Sequence, residues 1–430
     1  MARETINVGI LGYGIVGGGL YKVLTDNAQS ITQRVGRPVN VVKVADIDWD
    51  RPREFDVPPE LRTTDASEIL EDENIDIVAE TIGGIKPALG FVMAAIEAGK
   101  SVVTSNKEMI ARHGNEILSA AAARSVDVAF EGAVGGVVPV IRTLKESLDA
   151  DNIHEVMGIV NGTTNYILTQ MSQNDMAFET ALKQAQELGY AEADPTADVE
   201  GIDAANKLAI LSALAFGRRV DVSQVYREGI SRILPEDIAY ARRMGFVVKL
   251  LAIGRRTAED RLEARVHPVL LPNSHALAAV VGSFNAVFIR GEACDDVMLY
   301  GRGAGALPTG AAVAGDVLDC ARNIVHGASG RTPCACAGEA DLVPMGEVRS
   351  KVYLRMRVKD QAGVLGTIAT IFGSQEVSIN SVIQEQSDGK TADIVWIVHE
   401  CVEDQLTSAL KAIESLPIVE SIPACIRVEG

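Results

Sequence analysis

The chain has 430 residues, 47% of them apolar and only 4% aromatic, and its 58 acidic residues against 40 basic ones leave a net charge of −18. That length exceeds one ordinary domain, and a composition of small aliphatic residues with 39 glycines suits a globular α/β enzyme with many tight turns. The charge excludes a nucleic-acid or anionic-membrane surface in the absence of a local basic patch, and no such patch is visible.

In chain order, TINVGIL (5–11) is an apolar, β-branched run that ends in GYGIVG, and a helical pattern through Leu20, Val23 and Leu24 follows. The opening MARETINVGILGYG reaches this strand without the basic and apolar regions of a secretion signal, and no run approaches about 18 apolar residues, so the expected location is cytoplasmic. Strand patterns recur at 39–46, 75–81, 101–106 and 126–132, with a helical one at 88–99. Strands alternating with helices specify an α/β domain over 1–132, a Rossmann-type doubly wound parallel sheet. From 133 to 305 longer helices, at 138–148, 178–189 and 201–217, mix with strands such as 153–160 and mark a second, mixed α/β domain. A helix over 306–326 returns to complete the first domain, and residues 327–349, rich in Gly, Pro and small residues, read as a linker. Cys334 and Cys336 fall there and read as ordinary linker residues; the six cysteines of this long chain read as reduced thiols. The last segment, 350–430, has the order βαββαβ of a ferredoxin-like fold, with SDGK (387–390) as a hairpin turn.

Gly12, Gly14 and Gly17 spell G-x-G-x-x-G between a strand and a helix, the setting in which the motif binds a dinucleotide. The first glycine permits the turn, the second lets backbone approach a pyrophosphate and the third lets helix pack on strand, with Ile15 and Val16 opening the anion-holding helix. Asp46 closes the second strand, where a carboxylate bonds the ribose of NAD; Arg51 and Arg53 follow closely and would accept the extra phosphate of NADP, so the choice stays open. Asp46 lies 34 residues after Gly12 instead of about 20, which implies an insertion around 26–38 and leaves a plain strand-end turn as the alternative. Thr81 and Ser105, at the ends of neighbouring strands, join the cofactor set. In TSNKE (104–108), Lys107 follows a strand end and points to the cofactor crevice, against the alternative of a solvated surface lysine.

In EADPTADVEGIDAANKLAIL (192–211), Asp203 and Lys207 are four residues apart and share one helix face. One reading is an exposed ion pair. The other is a buried functional lysine, because the following LAILSALAF is apolar nearly all round. An ammonium beside a cofactor is what carbonyl reduction needs: hydride arriving at carbon leaves negative charge on oxygen, which a positioned acid protonates. Glu192, Asp194 and Asp198 would hold a cationic amino group or the substrate hydroxyl, which implies a small amino acid bearing an alcohol or aldehyde. All cysteines lie at or beyond 294, so the first two-thirds offer no thiol for aldehyde-to-acid oxidation, and no His or Cys cluster suggests catalytic zinc.

GILGYGIVGGGL (9–20), TSNKE, FEGAVGGVVPVI (130–141), NGTTNYIL (161–168), YAEADPTADVEGIDAANKLAIL (190–211) and YGRGAGALPTG (300–310) together resemble the homoserine dehydrogenases, in order, over about 5–325. The resemblance implies NAD(P)-dependent interconversion of aspartate 4-semialdehyde and homoserine, on the route to threonine, methionine and isoleucine. It makes Lys207 the proton donor and acceptor, Asp203 its partner, and Lys107 a group between cofactor and substrate. Glu192, Asp198, Gly162 and Thr163 become substrate contacts, and Gly303 and Gly305 a loop returning to the cofactor. Glu131, Val134, Gly136 and Val138 match a sodium or potassium site built of backbone carbonyls. Arg302 departs from the family, which often has Pro there. KDQAGVLGTIA (359–369) resembles an ACT domain, in which Asp360, Gly363 and Asn380 would bind an amino-acid effector, most simply threonine, between paired domains of a homodimer or homotetramer; the alternative is a module that only dimerises. A second class of reading is a cofactor-bound amino-acid sensor with a degenerate dehydrogenase body; within enzymes, the alternative is an oxidoreductase acting on another amino-acid semialdehyde.

Overall fold

The computed structural model describes residues 4–331, 336, 338–387 and 389–430; Asp388 of the SDGK turn and Cys334 of the C-x-C pair lie outside the described residues. The chain forms two compact units, Met1–Val156 with Asn206–Gln224 and Phe284–Ala340, and Met157–Ala205 with Val225–Ser283 and Asp341–Gly430. Among the described residues no helix is long and apolar enough to cross a membrane.

The first unit holds β1 (Ile6–Leu11), β2 (Val39–Ala45), β3 (Arg62–Thr63), β4 (Ile77–Glu80), β5 (Ser101–Thr104) and β6 (Val128–Ala129), in the order β3-β2-β1-β4-β5-β6. Every neighbouring pair is parallel. β1 and β4 are buried along nearly their whole length, so they read as continuous apolar runs and not as alternation. The strand order reverses between β1 and β4, and ligands of such sheets bind outside the strand ends at that reversal.

Two glycine contacts lock helix Ala306–His326 onto helix Ile15–Asp26: a Cβ on Gly19 would stand 1.9 Å from the Ala306 carbonyl oxygen, and one on Gly310 2.4 Å from the Gly19 carbonyl carbon. Below them Leu20, Val313 and Val317 join Ile10 and Val103 in one buried cluster. Gly19→Ala is therefore expected to destabilise the protein by about 1–3 kcal/mol through overpacking against backbone, although alanine is the better helix former by roughly 1 kcal/mol. A urea midpoint equal to or above wild type contradicts that packing.

In the second unit the strands follow the order Phe246–Arg256, Leu262–Pro272, Val419–Val428, Arg349–Lys359, Thr391–Val402, Ile379–Ser387. The last four, with helices Val364–Ser374 and Glu403–Glu414, form the ferredoxin-like body around Leu354, Ile368, Phe372, Trp396 and Leu406. Its final strand runs parallel to Leu262–Pro272 at Val269 and Leu270. Buried charge pairs surround this seam. Arg355 donates to both Asp237 oxygens at 2.7 and 3.0 Å, Arg265 donates to Glu429 at 2.7 Å, and Arg427 spans Glu403 at 2.7 and 2.9 Å and Glu228 at 3.0 Å. Each guanidinium is paid for in desolvation, so it fixes the docking only while its carboxylates stay in place.

Local departures from the sequence expectation have local causes. Residues 126–132 keep only the short β6 before a 3₁₀ turn, Glu131–Ala133, because the glycine-rich stretch beyond it turns the backbone, with Gly135 and Gly136 at positive φ. The 138–148 helix is a short α turn, Val140–Arg142, widened into a π turn, Thr143–Ser147. Residues 107–124 form a further helix, Lys107–Arg124, started by Asn106.

Candidate active site

In the first unit the glycine loop lies at the β1 end. Gly12 has φ +90°, a conformation that favours glycine, and a Cβ on Gly17 would stand 2.2 Å from the Gly12 carbonyl oxygen. Gly14 faces open space, and as N-cap of helix Ile15–Asp26 it supplies no side-chain cap, leaving the leading amides to an incoming anion. Ile15 is exposed and Val16 half-buried on that first turn. Thr81 closes the loop from β4, its hydroxyl donating to the Gly12 carbonyl at 2.7 Å. A phosphate-bearing cofactor fits this open, amide-lined turn.

Asp46 accepts the Tyr13 amide at 2.6 Å and pairs with Arg53 at 2.9 Å. Arg53 also donates to the Tyr13 and Asp48 carbonyls and lies over the Tyr13 and Trp49 rings. Arg51 is exposed, with its amide on the Asp48 carboxylate at 3.2 Å. Of the two arginines, Arg53 is the one brought to the glycine loop.

A network that sequence reasoning missed sets the start of Lys107. Glu80, at the end of β4, accepts the Thr104 hydroxyl at 2.5 Å and the Ile82 amide at 2.8 Å. Thr104 accepts the Asn106 amide at 2.9 Å, and the Asn106 side chain accepts from Met109 at 3.1 Å, capping the helix that Lys107 begins. Ser105 sits against Gly132.

The loop from Glu131 to Val138 is buried except at Val137. The Glu131 carboxylate accepts the Ile141 and Arg142 amides, each at 2.8 Å, while its own amide donates to Asp316 at 2.7 Å. Burial pushes the Glu131 carboxyl up, and burial together with Glu131 pushes Asp316 up to about 8. Gly136, at φ +59°, packs on the Gly303 backbone, the Val137 amide donates to the Arg302 carbonyl at 3.2 Å, and Gly305 leads into helix Ala306–His326. Carbonyl oxygens of such a loop are hard, neutral donors that fit an alkali cation.

In the second unit, Asn161 caps helix Gly162–Gln173, accepting the Thr164 amide at 2.9 Å. Its side-chain nitrogen donates to Asp198 at 2.7 Å and to Asp203 at 3.0 Å. Thr163 donates to the Tyr190 carbonyl at 2.6 Å, and the Tyr166 and Tyr190 rings lie 5.0 Å apart, which holds the chain leading into exposed Glu192. Asp194 turns back on Thr196 at 2.6 Å, and that bond holds its carboxyl below the usual range. Asp194 is thus held in a local turn, whereas Asp198 faces Asn161.

Helix Ile202–Phe216 begins after Gly201, at φ +74°, and is buried continuously from Asp203 to Ser212. Asp203 is 6% and Lys207 9% exposed, which excludes the surface ion-pair reading.

Helix Gly162–Gln173 is anchored from beneath by Lys249, which donates to Asn165 at 3.0 Å and to the Val280 carbonyl. Burial pushes Lys249 down to about 8 from 10.5. Because its pKa is lower in the fold than in the unfolded chain, its contribution to stability rises as pH climbs from about 8 towards 10.5. Relative to Lys249→Met, wild type is expected to gain about 3 kcal/mol over that interval in urea unfolding; a difference that stays flat with pH contradicts the buried-ammonium assignment.

In the ferredoxin-like body, Asp360 is exposed with its amide on the Lys390 carbonyl at 2.9 Å, Gly363 opens helix Val364–Ser374 at φ +92°, and Asn380 lies 3.4 Å from His399.

Three comparisons with known proteins bear on this arrangement. Residues 12–131 match the family model "Homoserine dehydrogenase, NAD binding domain", 139–318 the model "Homoserine dehydrogenase", and 352–418 the ACT domain. The homoserine dehydrogenase of Corynebacterium glutamicum is 44% identical over 99% of this chain and 96% of that protein, and the Neisseria gonorrhoeae enzyme 43% over 99% of both. A crystal structure of homoserine dehydrogenase from Thiobacillus denitrificans superposes with a TM-score of 0.93 at 43% identity, over 99% of this chain and 98% of that one. A hyperthermophilic archaeal homoserine dehydrogenase mutant in complex with NADPH is 27% identical with a TM-score of 0.61, over 74% of this chain and 97% of that one. With an NAD-binding sheet, a buried Asp203–Lys207 helix turn and an ACT body matched along its length, the chain belongs to the homoserine dehydrogenase family of oxidoreductases acting on a CH–OH group.

Proposed function

We propose that the protein reduces L-aspartate 4-semialdehyde to L-homoserine, reversibly, with Lys207 as the proton donor. A bound reduced nicotinamide supplies the hydride. As the carbonyl carbon receives it, the C=O π electrons move to oxygen, and the Lys207 ammonium transfers a proton there and becomes the neutral amine. Asp203, one turn earlier on the same buried helix face, orients the lysine, and this buried pair is the observation that carries the reading. Asp198 and Glu192 complement the substrate's α-ammonium group, Gly162 and Thr163 its carboxylate at a helix N-terminus, and Lys107 the space between cofactor and substrate.

Asp46 and Arg53, paired at the end of β2, support the use of either NAD or NADP. The carbonyls of Glu131, Val134, Gly136 and Val138 would hold sodium or potassium and thereby steady the Gly303 loop packed on Gly136. The exposed Met298 and Tyr300 on Asp295–Arg302, and Val382 on the edge strand Ile379–Ser387, support assembly into a homodimer or homotetramer. Paired ACT domains then bind threonine at Asp360, Gly363 and Asn380.

The test is consumption of NADPH and NADH with aspartate 4-semialdehyde and with the one-carbon-longer glutamate 5-semialdehyde, with and without threonine. Turnover on the aspartate compound and poor turnover on the longer one is the expected result, with threonine lowering the rate. A preference for the longer aldehyde, or no turnover with either cofactor in sodium or potassium salts, overturns the reading.

A further inference from the structure

We infer that Asn161 is a positioning residue for the reaction, its single amide setting both the substrate carboxylate Asp198 and the catalytic carboxylate Asp203. The inference rests on the roles proposed above for those two acids. It begins from a constraint on one side-chain group. The Thr164 amide N–H, 2.9 Å away, is a donor and can be met only by the Asn161 carbonyl oxygen, and the Thr164 hydroxyl lies 3.0 Å from the same atom. The amide nitrogen must then face the other way, and its two hydrogens meet two carboxylates, at 2.7 Å on Asp198 and 3.0 Å on Asp203. Asn161 is 5% exposed, so water is a poor substitute for these bonds.

Three elements therefore converge on one planar group: the start of helix Gly162–Gln173, helix Thr196–Val199 with Asp198, and the first turn of helix Ile202–Phe216 with Asp203. Two like charges held this near each other repel, and a shared N–H donor offsets that repulsion while fixing which oxygen of each points away. Between the two acids the backbone bends at Gly201, so their relative placement is not dictated by one continuous helix. Nor can the amide swing. Thr163 ties the same helix start to the Tyr190 carbonyl, and Asn165, one turn on, is held by Lys249 at 3.0 Å. The consequence is specific: seating the substrate on Asp198 and orienting Lys207 through Asp203 are coupled, and loss of the amide nitrogen should weaken both.

A merely structural Asn161 would act only as a helix cap, and Ser and Asp cap as well as Asn does. Asn161→Ser and Asn161→Asp both keep the cap and lose the two amide N–H groups; the serine hydroxyl, one proton on a shorter arm, can serve at most one of the two carboxylates. If Asn161 positions the acids, each variant loses about 10²-fold in kcat/KM, the scale of a small misplacement of reacting groups. The loss should be divided between a higher KM for aspartate 4-semialdehyde and a lower kcat, with NADPH affinity close to wild type. Asn161→Gln, with a misplaced amide, should not rescue. The serine variant carries the test should the aspartate variant fold poorly. If Asn161→Ser is folded and keeps kcat/KM within about twofold of wild type, the inference is overturned. The wild-type arm reports separately on the reaction: no turnover of aspartate 4-semialdehyde there defeats the proposed function and this inference with it, whereas active wild type beside active Asn161→Ser defeats the inference alone.

Discussion

Lys207→Met is expected to lower kcat for aspartate 4-semialdehyde by about 10³-fold, within the range contributed by a general acid that also stabilises an oxyanion. Methionine has nearly the length of lysine and no proton to give, and the side chain it replaces is 9% exposed on a helix buried from Asp203 to Ser212. The substitution also removes one side of a buried Asp203–Lys207 pair, so a lower melting temperature is expected beside the lost rate, and kcat is compared on protein shown to be folded. NADPH affinity, proposed to be set at the glycine loop and the end of β2, should be unchanged. A kcat within tenfold of wild type would move the proton-transfer role away from Lys207, with Lys107 next in line.

Asp237→Ala is expected to cost about 3–5 kcal/mol of stability, the toll of breaking one side of a buried ion pair. Asp237 is 1% exposed and accepts from Nε and Nη2 of Arg355 and from the Tyr353 hydroxyl, at 2.7, 3.0 and 3.0 Å. Removing it leaves a guanidinium and a phenol in a dry seam, because the other carboxylate near Arg355, Asp393, stands 3.8 Å away. The effect is in the orphaned partner and not in the pair as such: Asp237→Leu combined with Arg355→Met should recover most of the loss. Urea unfolding of the three proteins checks this, and a single variant within about 1 kcal/mol of wild type would mean that water reaches the seam.

Where the fold was legible from the sequence, the signals were local. The glycine loop, the alternation of strands and helices up to residue 132, the buried helix at 201–217 and the βαββαβ order of the tail each follow from a short stretch and its periodicity. Strands Phe246–Arg256 and Leu262–Pro272 were not singled out because both are buried along most of their length, which erases the period-two alternation that marks a half-exposed strand. The parallel seam at Val269 and Leu270 depends on residues about 158 positions apart, and nothing local announces it.

The site divides in the same way. Asp203 and Lys207 stood out because two charges interrupt an apolar helix. Arg51 and Arg53 could not be ranked from sequence, since which of two neighbouring arginines turns to the glycine loop is settled by contacts with Tyr13, Asp46 and Trp49. Asn161 was visible only as an asparagine three residues before Thr164, the spacing of a helix cap. Its bonds to Asp198 and Asp203 span 37 and 42 residues and are a product of the fold.

The most direct test of the central claim follows deuteride from labelled NADPH into product in a single turnover with aspartate 4-semialdehyde, for wild type and Lys207→Met. Homoserine carrying one deuterium at its alcohol carbon is expected from wild type, and its formation should be about 10³-fold slower from the variant at equal cofactor occupancy. Unlabelled product from wild type, or equal rates from the two proteins, would contradict it.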